Sequence, residues 1–251
     1  MSHALIGKKK EEAEVFYEKL LTTLIQKNLP FMIGGTYAFN AYTGLNRPTG
    51  DIDIKSTAED YPRILKVLTQ CGYRTELAEI ELNWLAKVYD SENSHLYTDI
   101  IFAERNGLHK IDQTWLENAR EGTVLAHRVK LEPVEDMIRS KIYVQNRDRT
   151  DSGDVVHLIL KQGATMDWNL LLQKTEPHWE LLMAHLLFFL FVYPSERKAI
   201  PKFVIETLSG KLKASTGIAC PKEKVTRGLL LSNDYQVAVS QWGYTPITGL
   251  K

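Results

Sequence analysis

The sequence predicts an α+β protein, with a mixed β-sheet flanked by helices followed by a mostly helical region. Short apolar or alternating segments, which are typical of strands, are spread over residues 29–102. Segments with apolar residues at helical spacing lie between them. After residue 130 the strand-like segments give way to helical patterns. We therefore expect two domains, residues 1–130 and 131–251.

The first domain is expected to alternate helices and strands. An apolar face marks the first helix, and Gly72 ends the third. The segment 44–50 is rich in turn-forming residues. The expected helices are Lys10–Asn28, Thr36–Tyr42 and Thr57–Gln70, and the expected strands are Leu29–Ile33, Asp51–Ile54, Tyr73–Leu77, Asn83–Tyr89 and Leu96–Phe102.

The second domain is expected to begin with a helix at Pro133, because proline is favoured at the first helical position. Glu135 and Asp136 in the first turn suit the positive end of that helix. Further helices are predicted at Asp151–Lys161, Asp167–Lys174, Pro177–Tyr193 and Pro201–Lys213.

The composition narrows the classes of protein. Lys plus Arg and Asp plus Glu both number 31, so the net charge is zero, whereas a protein that coats DNA or RNA is usually basic. The two cysteines, Cys71 and Cys220, are far apart and have no metal-binding spacing, which indicates a reducing compartment. The most apolar run, Leu181–Tyr193, is too short to cross a bilayer. We expect a cytoplasmic protein that does not enter membranes.

Charge is distributed unevenly along the chain. Seven acids and one base, Lys87, lie between Glu76 and Glu104, whereas eight bases and three acids lie between Glu196 and Arg227. Two readings stay open: the segments form opposite walls of a cleft, or both are solvated surfaces.

The sharpest chemical signal joins a Gly-Gly turn to a pair of acids. Fifteen residues separate Gly35, of the Gly34-Gly35 pair, from Asp51. On a strand, Asp51 and Asp53 point to the same face, where two carboxylates repel each other unless a cation lies between them. Hard oxygen ligands of this kind select Mg²⁺ or Mn²⁺, and a Gly-Gly turn before a helix lets backbone N–H groups approach a phosphate.

A third acid is expected on a neighbouring strand. Asp99 fits best because it lies within a β-rich apolar stretch, where a charge is costly unless it is paired or bound to metal. Asp90 and Glu104 are weaker candidates because they lie at strand ends. The alternative is structural, since an Asp-x-Asp pair by itself usually marks a solvated strand face.

These motifs resemble a known superfamily. Met32-Ile-Gly-Gly-Thr-Tyr-Ala followed by Arg47-Pro-Thr-Gly-Asp-Ile-Asp is similar to the signature of DNA polymerase beta-like nucleotidyltransferases. The nearest branches are bacterial, and they include aminoglycoside nucleotidyltransferases and abortive-infection-type toxins. Leu131–Lys141 and the segment from Arg149 to Asp154 also resemble the helical part of such proteins. The resemblance covers about residues 30–160.

The resemblance implies a mechanism with two magnesium ions. Asp51 and Asp53 would hold both ions, and Asp99 would bind the ion nearer the acceptor and help to deprotonate its hydroxyl. Where many polymerases have Gly-Ser, this chain has Gly-Gly-Thr, and two readings stay open: Thr36 supplies the missing hydroxyl, or no hydroxyl is needed. Arg47 either steadies its loop or meets a phosphate. The expected nucleotide-binding residues are Gly34, Gly35, Thr36, Arg47, Thr49 and Lys141.

Lys141 is included because of its position in a helix. It falls within the apolar stripe of Met137, Ile138 and Ile142, and a lysine that faces inward needs an anion. A triphosphate between the two domains would serve, and Lys141→Met would then weaken nucleotide binding but leave the apo protein as stable as before. The alternatives are a pair with Asp154 or a side chain that reaches the surface.

The sequence therefore predicts transfer of a nucleoside monophosphate from a triphosphate such as ATP to an acceptor hydroxyl. The zero net charge favours a small-molecule acceptor over RNA, and the acidic segment next to Asp99 favours a cationic one such as an aminoglycoside. The alternatives are an enzyme that modifies tRNA or protein, as toxins do, and a catalytically inactive module that binds nucleotides.

Overall fold

The structure is a computed structural model that describes residues 3–77, 84–104 and 107–249, with side chains from residue 11 onward. The chain forms two compact units, residues 1–133 and 134–251. None of the helices in the described ranges is both long and apolar enough to cross a membrane.

The first unit contains a mixed sheet flanked by helices, as the sequence predicts. Within the described residues its seven strands lie in the order β3-β4-β5-β2-β1-β7-β6, with β2 parallel to β5 and β1 parallel to β7. The helices are α1 His3–Gln26, α2 Gly35–Thr43, α3 Tyr61–Gln70 and α4 Gln113–Asn118, and the strands are β1 Met32–Ile33, β2 Asp53–Lys55, β3 Arg74–Leu77, β4 Leu85–Tyr89, β5 Tyr97–Ile101, β6 Arg120–Val124 and β7 His127–Leu131.

Alternating side chains give the central strands one mostly apolar, buried face. Ile54 of β2, Val88 of β4 and Ile100 of β5 are completely buried, and Ile52 just before β2 is also buried. Because side chains alternate along a strand, the residues between them face the other side of the sheet. That other side carries Asp53 and Asp99.

Several details of the first unit differ from the sequence prediction, including the first residues of α1 and α3. The strand at Asp51–Ile54 begins only at Asp53, so Asp51 lies in the preceding loop and is exposed. The strand at Leu29–Ile33 is reduced to two residues. Helix α4 and the β6–β7 hairpin were not predicted, because the hairpin turn at Leu125-Ala126 takes two positive φ angles without the glycine or asparagine that usually signals it. Residue 83, predicted to begin a strand, lies outside the described residues.

The second unit is mostly helical, as predicted. Helix α5 follows Pro133, and its residues from Val134 to Arg139 are all buried. A short parallel strand pair near the end of the chain was not predicted. The helices are α5 Val134–Lys141, α6 Ser152–Gln162, α7 Trp168–Lys174, α8 Trp179–Val192, α9 Lys202–Ser215 and α10 Gln236–Ser240, and the strands are β8 Val225–Thr226 and β9 Thr245–Pro246.

Candidate active site

Two of the three predicted acids are direct neighbours in the sheet. The parallel pairing of β2 with β5 places Asp53 opposite Asp99, so both carboxylates lie on the same face. Both residues are half-buried. Thr98 also donates a hydrogen bond from its hydroxyl to the carbonyl of Ile52, which ties β5 to the residue between Asp51 and Asp53.

Asp51 is held by its own loop rather than by a strand. The hydroxyl of Thr49 donates to the Asp51 carboxylate. One residue earlier, the buried Tyr17 of α1 donates its hydroxyl to the Gly50 carbonyl at 2.8 Å. Burial, and then the charge of Asp51, raise the pKa of Tyr17, so this hydroxyl stays protonated and can donate. The structure thus shows that Thr49 contacts Asp51, two residues later in the same loop.

The Gly-Gly turn is shaped by the Asp53 side chain. Gly35 has a φ of +56°, and a Cβ there would lie 1.8 Å from Asp53 Oδ2. Only glycine fits this position, because a methyl group would displace the carboxylate. The N–H of Gly34 donates to the Asp53 carbonyl at 2.9 Å. The backbone N–H groups that begin α2, from Gly35 onward, lack acceptors within the helix and are suited to an anion.

Arg47 is attached to helix α2. Its guanidinium donates to the Thr36 hydroxyl at 3.2 Å, and its carbon Cζ lies 4.5 Å from the centre of the Phe39 ring. Its backbone exchanges two hydrogen bonds with the Asn40 side chain. These contacts tie the Arg47 loop to α2 and bring Arg47 to Thr36, next to the Gly-Gly turn, and contact of Arg47 with a phosphate stays a prediction.

Lys87 is a partner of Asp99 that the sequence analysis did not identify. It stands directly opposite Asp99 in the β4–β5 pair, and its Nζ lies 2.9 Å from Asp99 Oδ1. Burial works against its charge, but the hydrogen bond to Asp99 raises the pKa of Lys87. The only available signal was its place as the single base in the acidic segment.

Lys55 is a second residue that sequence reasoning missed. It follows Asp53 on the same face of β2 but is buried, with Nζ 2.6 Å from Glu132 Oε1 and 3.9 Å from Glu104 Oε1. Burial lowers the pKa of Lys55, but the charges of Glu132 and Glu104 together with the hydrogen bond to Glu132 shift it upward overall. A Cβ on Gly34 would lie 2.8 Å from Glu132 Oε2, so this pair also supports the Gly-Gly turn.

Lys141 has partners within its own unit. Its buried Nζ lies 2.7 Å from Asp151 Oδ2 and 2.7 Å from Asp154 Oδ2. Arg149 also binds Asp151, at 2.8 Å. The chain itself therefore supplies the anionic partner that an inward-facing lysine requires, as in the alternative that pairs Lys141 with Asp154. Contact of Lys141 with a nucleotide stays a prediction.

The donor set at Asp51, Asp53 and Asp99 suits a magnesium ion. All three supply hard carboxylate oxygens, and the absence of a side chain at Gly35 makes room for the Asp53 carboxylate. Across the described ranges, no three His, Cys, Asp or Glu side chains are gathered closely enough to form a ready metal centre. The carboxylates thus fit magnesium by their chemistry, two of them, Asp53 and Asp99, are neighbours in the sheet, and the ligand assignment stays a prediction.

A mixed sheet with a Gly-Gly turn after β1, and carboxylates paired across β2 and β5, is the arrangement of the nucleotidyltransferase fold. The sequence profile of the aminoglycoside-2''-adenylyltransferase family matches residues 17–142, which is half of the chain. The protein belongs to this family.

Solved structures resemble the chain at low identity. A crystal structure of ANT(2'')-Ia in complex with adenylyl-2''-tobramycin is 20% identical, with a TM-score of 0.46 over 65% of this chain and 97% of that one. Lincosamide antibiotic adenylyltransferase LnuA, with lincomycin bound, is 18% identical, with a TM-score of 0.40 over 58% of this chain and 94% of that one. Among curated proteins no sequence matches the chain.

Proposed function

We propose that the protein is a magnesium- or manganese-dependent nucleotidyltransferase that moves a nucleoside monophosphate from a triphosphate to a hydroxyl of a small-molecule acceptor, such as an antibiotic. Membership of the adenylyltransferase family supports transferase chemistry. The observation that carries the proposal is the pairing of Asp53 with Asp99 on one face of the sheet, with Gly35 pressed against Asp53. An inactive nucleotide-binding module would not need this arrangement of acids.

The reaction forms one bond and breaks one. The acceptor oxygen bonds to the α-phosphorus, the bond from that phosphorus to the bridging oxygen breaks, and pyrophosphate leaves with the electron pair. Bound divalent cations would supply charge stabilisation for the phosphates and lower the pKa of the hydroxyl. Asp51 and Asp53 are proposed to hold the cations, and Asp99 to help remove the hydroxyl proton. The first N–H groups of α2 are proposed to bind the phosphates.

The basic segment of the second unit supports a small acceptor over RNA. Three of its bases have carboxylate partners: Lys202 with Glu206 at 3.3 Å, Lys211 with Glu176 at 2.7 Å, and Arg227 with Glu180 at 2.8 Å. Such pairing reduces the positive charge available to a phosphate backbone. Modification of tRNA or protein stays open as an alternative, because residues 197–198 and 222–224 add further bases.

The test is a labelling experiment. The protein is incubated with Mg²⁺, each α-labelled triphosphate in turn, and either a panel of antibiotics or total tRNA across a salt series. Transfer to a small molecule that changes little with salt supports the proposal, because RNA binding weakens steeply as salt rises. Labelling of tRNA alone, lost at high salt, would refute the small-molecule assignment. Undiminished transfer by the Asp51→Asn/Asp53→Asn variant would refute the site.

A further inference from the structure

A row of aromatic and cationic side chains lies beside Asp99 on the same face of the sheet. Tyr97 is two residues before Asp99 in β5, Tyr89 pairs opposite Tyr97, and Arg74 of β3 pairs opposite Tyr89. Lys87, opposite Asp99, belongs to the same face by alternation. We call Arg74, Lys87, Tyr89 and Tyr97 the tyrosine shelf.

The shelf is ordered by contacts among its own members. The ring centres of Tyr89 and Tyr97 are 5.6 Å apart. Arg74 Cζ lies 4.0 Å from the centre of the Tyr89 ring, and Lys87 Nζ lies 4.1 Å from that of Tyr97. Even so, 43% of Tyr97 is exposed. Tyr89 is half-buried. Because exposed aromatic surface costs free energy in water, the exposed ring of Tyr97, held against Tyr89, favours a ligand with an apolar face.

The order of strands places the shelf on the side of the acceptor. The Gly-Gly turn follows β1, which lies on one side of β2. Strands β5, β4 and β3, which carry Asp99 and the shelf, lie on the other side. If the triphosphate occupies the Gly-Gly turn, the molecule that attacks it approaches from Asp99 and therefore passes over Tyr97 and Lys87.

Charges on and around the shelf are balanced. Arg74 pairs with Glu76 at 2.6 Å, as Lys87 does with Asp99 at 2.9 Å. Beyond the shelf the contacts are looser: Asp90 lies 4.0 Å from the exposed Lys19, and Glu104 lies 3.9 Å from Lys55, whose closer partner is Glu132 at 2.6 Å. The two acids on the shelf face, Glu76 and Asp99, are thus each neutralised by a member of the shelf, and the attraction of the shelf for a polycation is correspondingly weak. Residues Glu79 and Glu81 lie outside the described ranges.

We propose that the tyrosine shelf binds the acceptor, and that the acceptor is a hydroxyl compound of low charge with a flat apolar face, such as a glycoside, rather than a polycation. This proposal rests on the proposed function, since it names the substrate class of the same site. Tyr97 contacts the apolar face, and Lys87 lowers the affinity for ammonium groups beside Asp99. This substrate class differs from the cationic aminoglycoside that the acidic segment of the sequence favours.

Equilibrium binding and transfer kinetics test the shelf proposal separately from the proposed function. The probes are tobramycin, a polycation, and a panel of neutral and monocationic glycosides that includes lincomycin, at one ionic strength with Mg²⁺ and the triphosphate. We expect at least one glycoside to exceed tobramycin about tenfold in kcat/KM. Tyr97→Leu should raise the KM for that glycoside about tenfold but leave the KM for the triphosphate unchanged. Lys87→Met should shift the preference about tenfold toward tobramycin.

Tyr235→Leu is the matched control, because Tyr235 is also 43% exposed but lies in the second unit. It should change neither KM. Preference of the wild type for tobramycin, or binding of no glycoside in the panel, would overturn the shelf proposal. Glycoside binding that Tyr97→Leu weakens, with no transfer to any acceptor, would leave the shelf standing and refute the proposed function instead.

Discussion

Two charged regions of the molecule differ in how their charges are balanced. The candidate carboxylate site of the first unit consists of Asp53 and Asp99, which pair across the sheet, and Asp51 in the loop before β2, and Lys87 pairs with Asp99. The lysine cluster of the second unit is Lys141, Arg149, Asp151 and Asp154, with two positive and two negative charges. The residues named in the first region are three acids and one base, whereas those named in the second are two of each. A buried charge indicates a ligand only after the partners within the chain are counted.

The largest effect is expected from removing a carboxylate at the first region. Asp53→Asn should reduce nucleotide transfer at least about a thousandfold, because a metal contact is worth several kcal/mol in the transition state. Stability of the apo protein should be unchanged or slightly higher, since repulsion between neighbouring carboxylates is relieved. Transfer assays and thermal denaturation check both. Asp148→Asn, at an exposed acid of the second unit, is the control and should change neither.

The second region should respond in the opposite way. Lys141→Met leaves Asp151 and Asp154 without their buried partner, and should lower the free energy of unfolding by about 3–5 kcal/mol. The sequence interpretation, in which Lys141 waits for a phosphate, expects no loss of apo stability. Denaturant titration separates the two, with the exposed Lys213→Met as control.

Calorimetric titration with the triphosphate completes the test of Lys141. If the variant is as stable as the wild type and binds the triphosphate more weakly, the lysine is a nucleotide ligand and the comparison between the two regions fails.

Substitutions at Gly35 and Gly44 separate the effect of the contact between the Gly-Gly turn and Asp53 from the effect of backbone strain. Gly35 and Gly44 both have positive φ angles, +56° and +72°, so alanine at either site costs about 1–2 kcal/mol of backbone strain. A Cβ at Gly35 meets Asp53 Oδ2, whereas one at Gly44 meets nothing within 4 Å. We expect Gly35→Ala to lose transfer activity about 10- to 100-fold and Gly44→Ala to lose stability only. Equal activities in the two variants would show that Asp53 tolerates displacement.

The smallest expected effect is on the acid stability of the second region. Burial opposes the ionisation of Asp151, but hydrogen bonds from Arg149 and the charge of Lys141 hold its pKa below the usual value. Its contribution to stability is therefore present above the unfolded-state pKa of about 3.9, and it is lost as the pH falls from there through the lower folded-state pKa. Arg149→Met should make stability less dependent on pH below 4. An unchanged profile from pH 2 to 5 would exclude Arg149 as a cause.

Much of the first unit could be predicted because its signals are local. The alternation of Asp51, Ile52, Asp53 and Ile54 indicates a strand with one apolar face, and Ile52 and Ile54 are indeed buried. The Gly-Gly turn and the helix that follows it are also encoded by neighbouring residues. The strand begins two residues late because Asp51 is held by the Thr49 hydroxyl and its loop is anchored by Tyr17. These contacts span 2 and 33 residues of sequence.

The sequence by itself determined the α+β class, the Gly-Gly turn and the pattern of acids, because strand alternation and glycine geometry act between residues close along the chain. Only the tertiary structure decided which charges meet. Lys55 pairs with Glu132, which lies 77 residues later in the sequence, and Lys87 pairs with Asp99 across the β4–β5 hairpin. Lys141 pairs with Asp154 of α6 and with Asp151, which immediately precedes that helix. Pairing of charges depends on strand register and helix packing, which bring together residues distant in sequence, so composition alone could not show that Asp99 of the acidic segment pairs with Lys87.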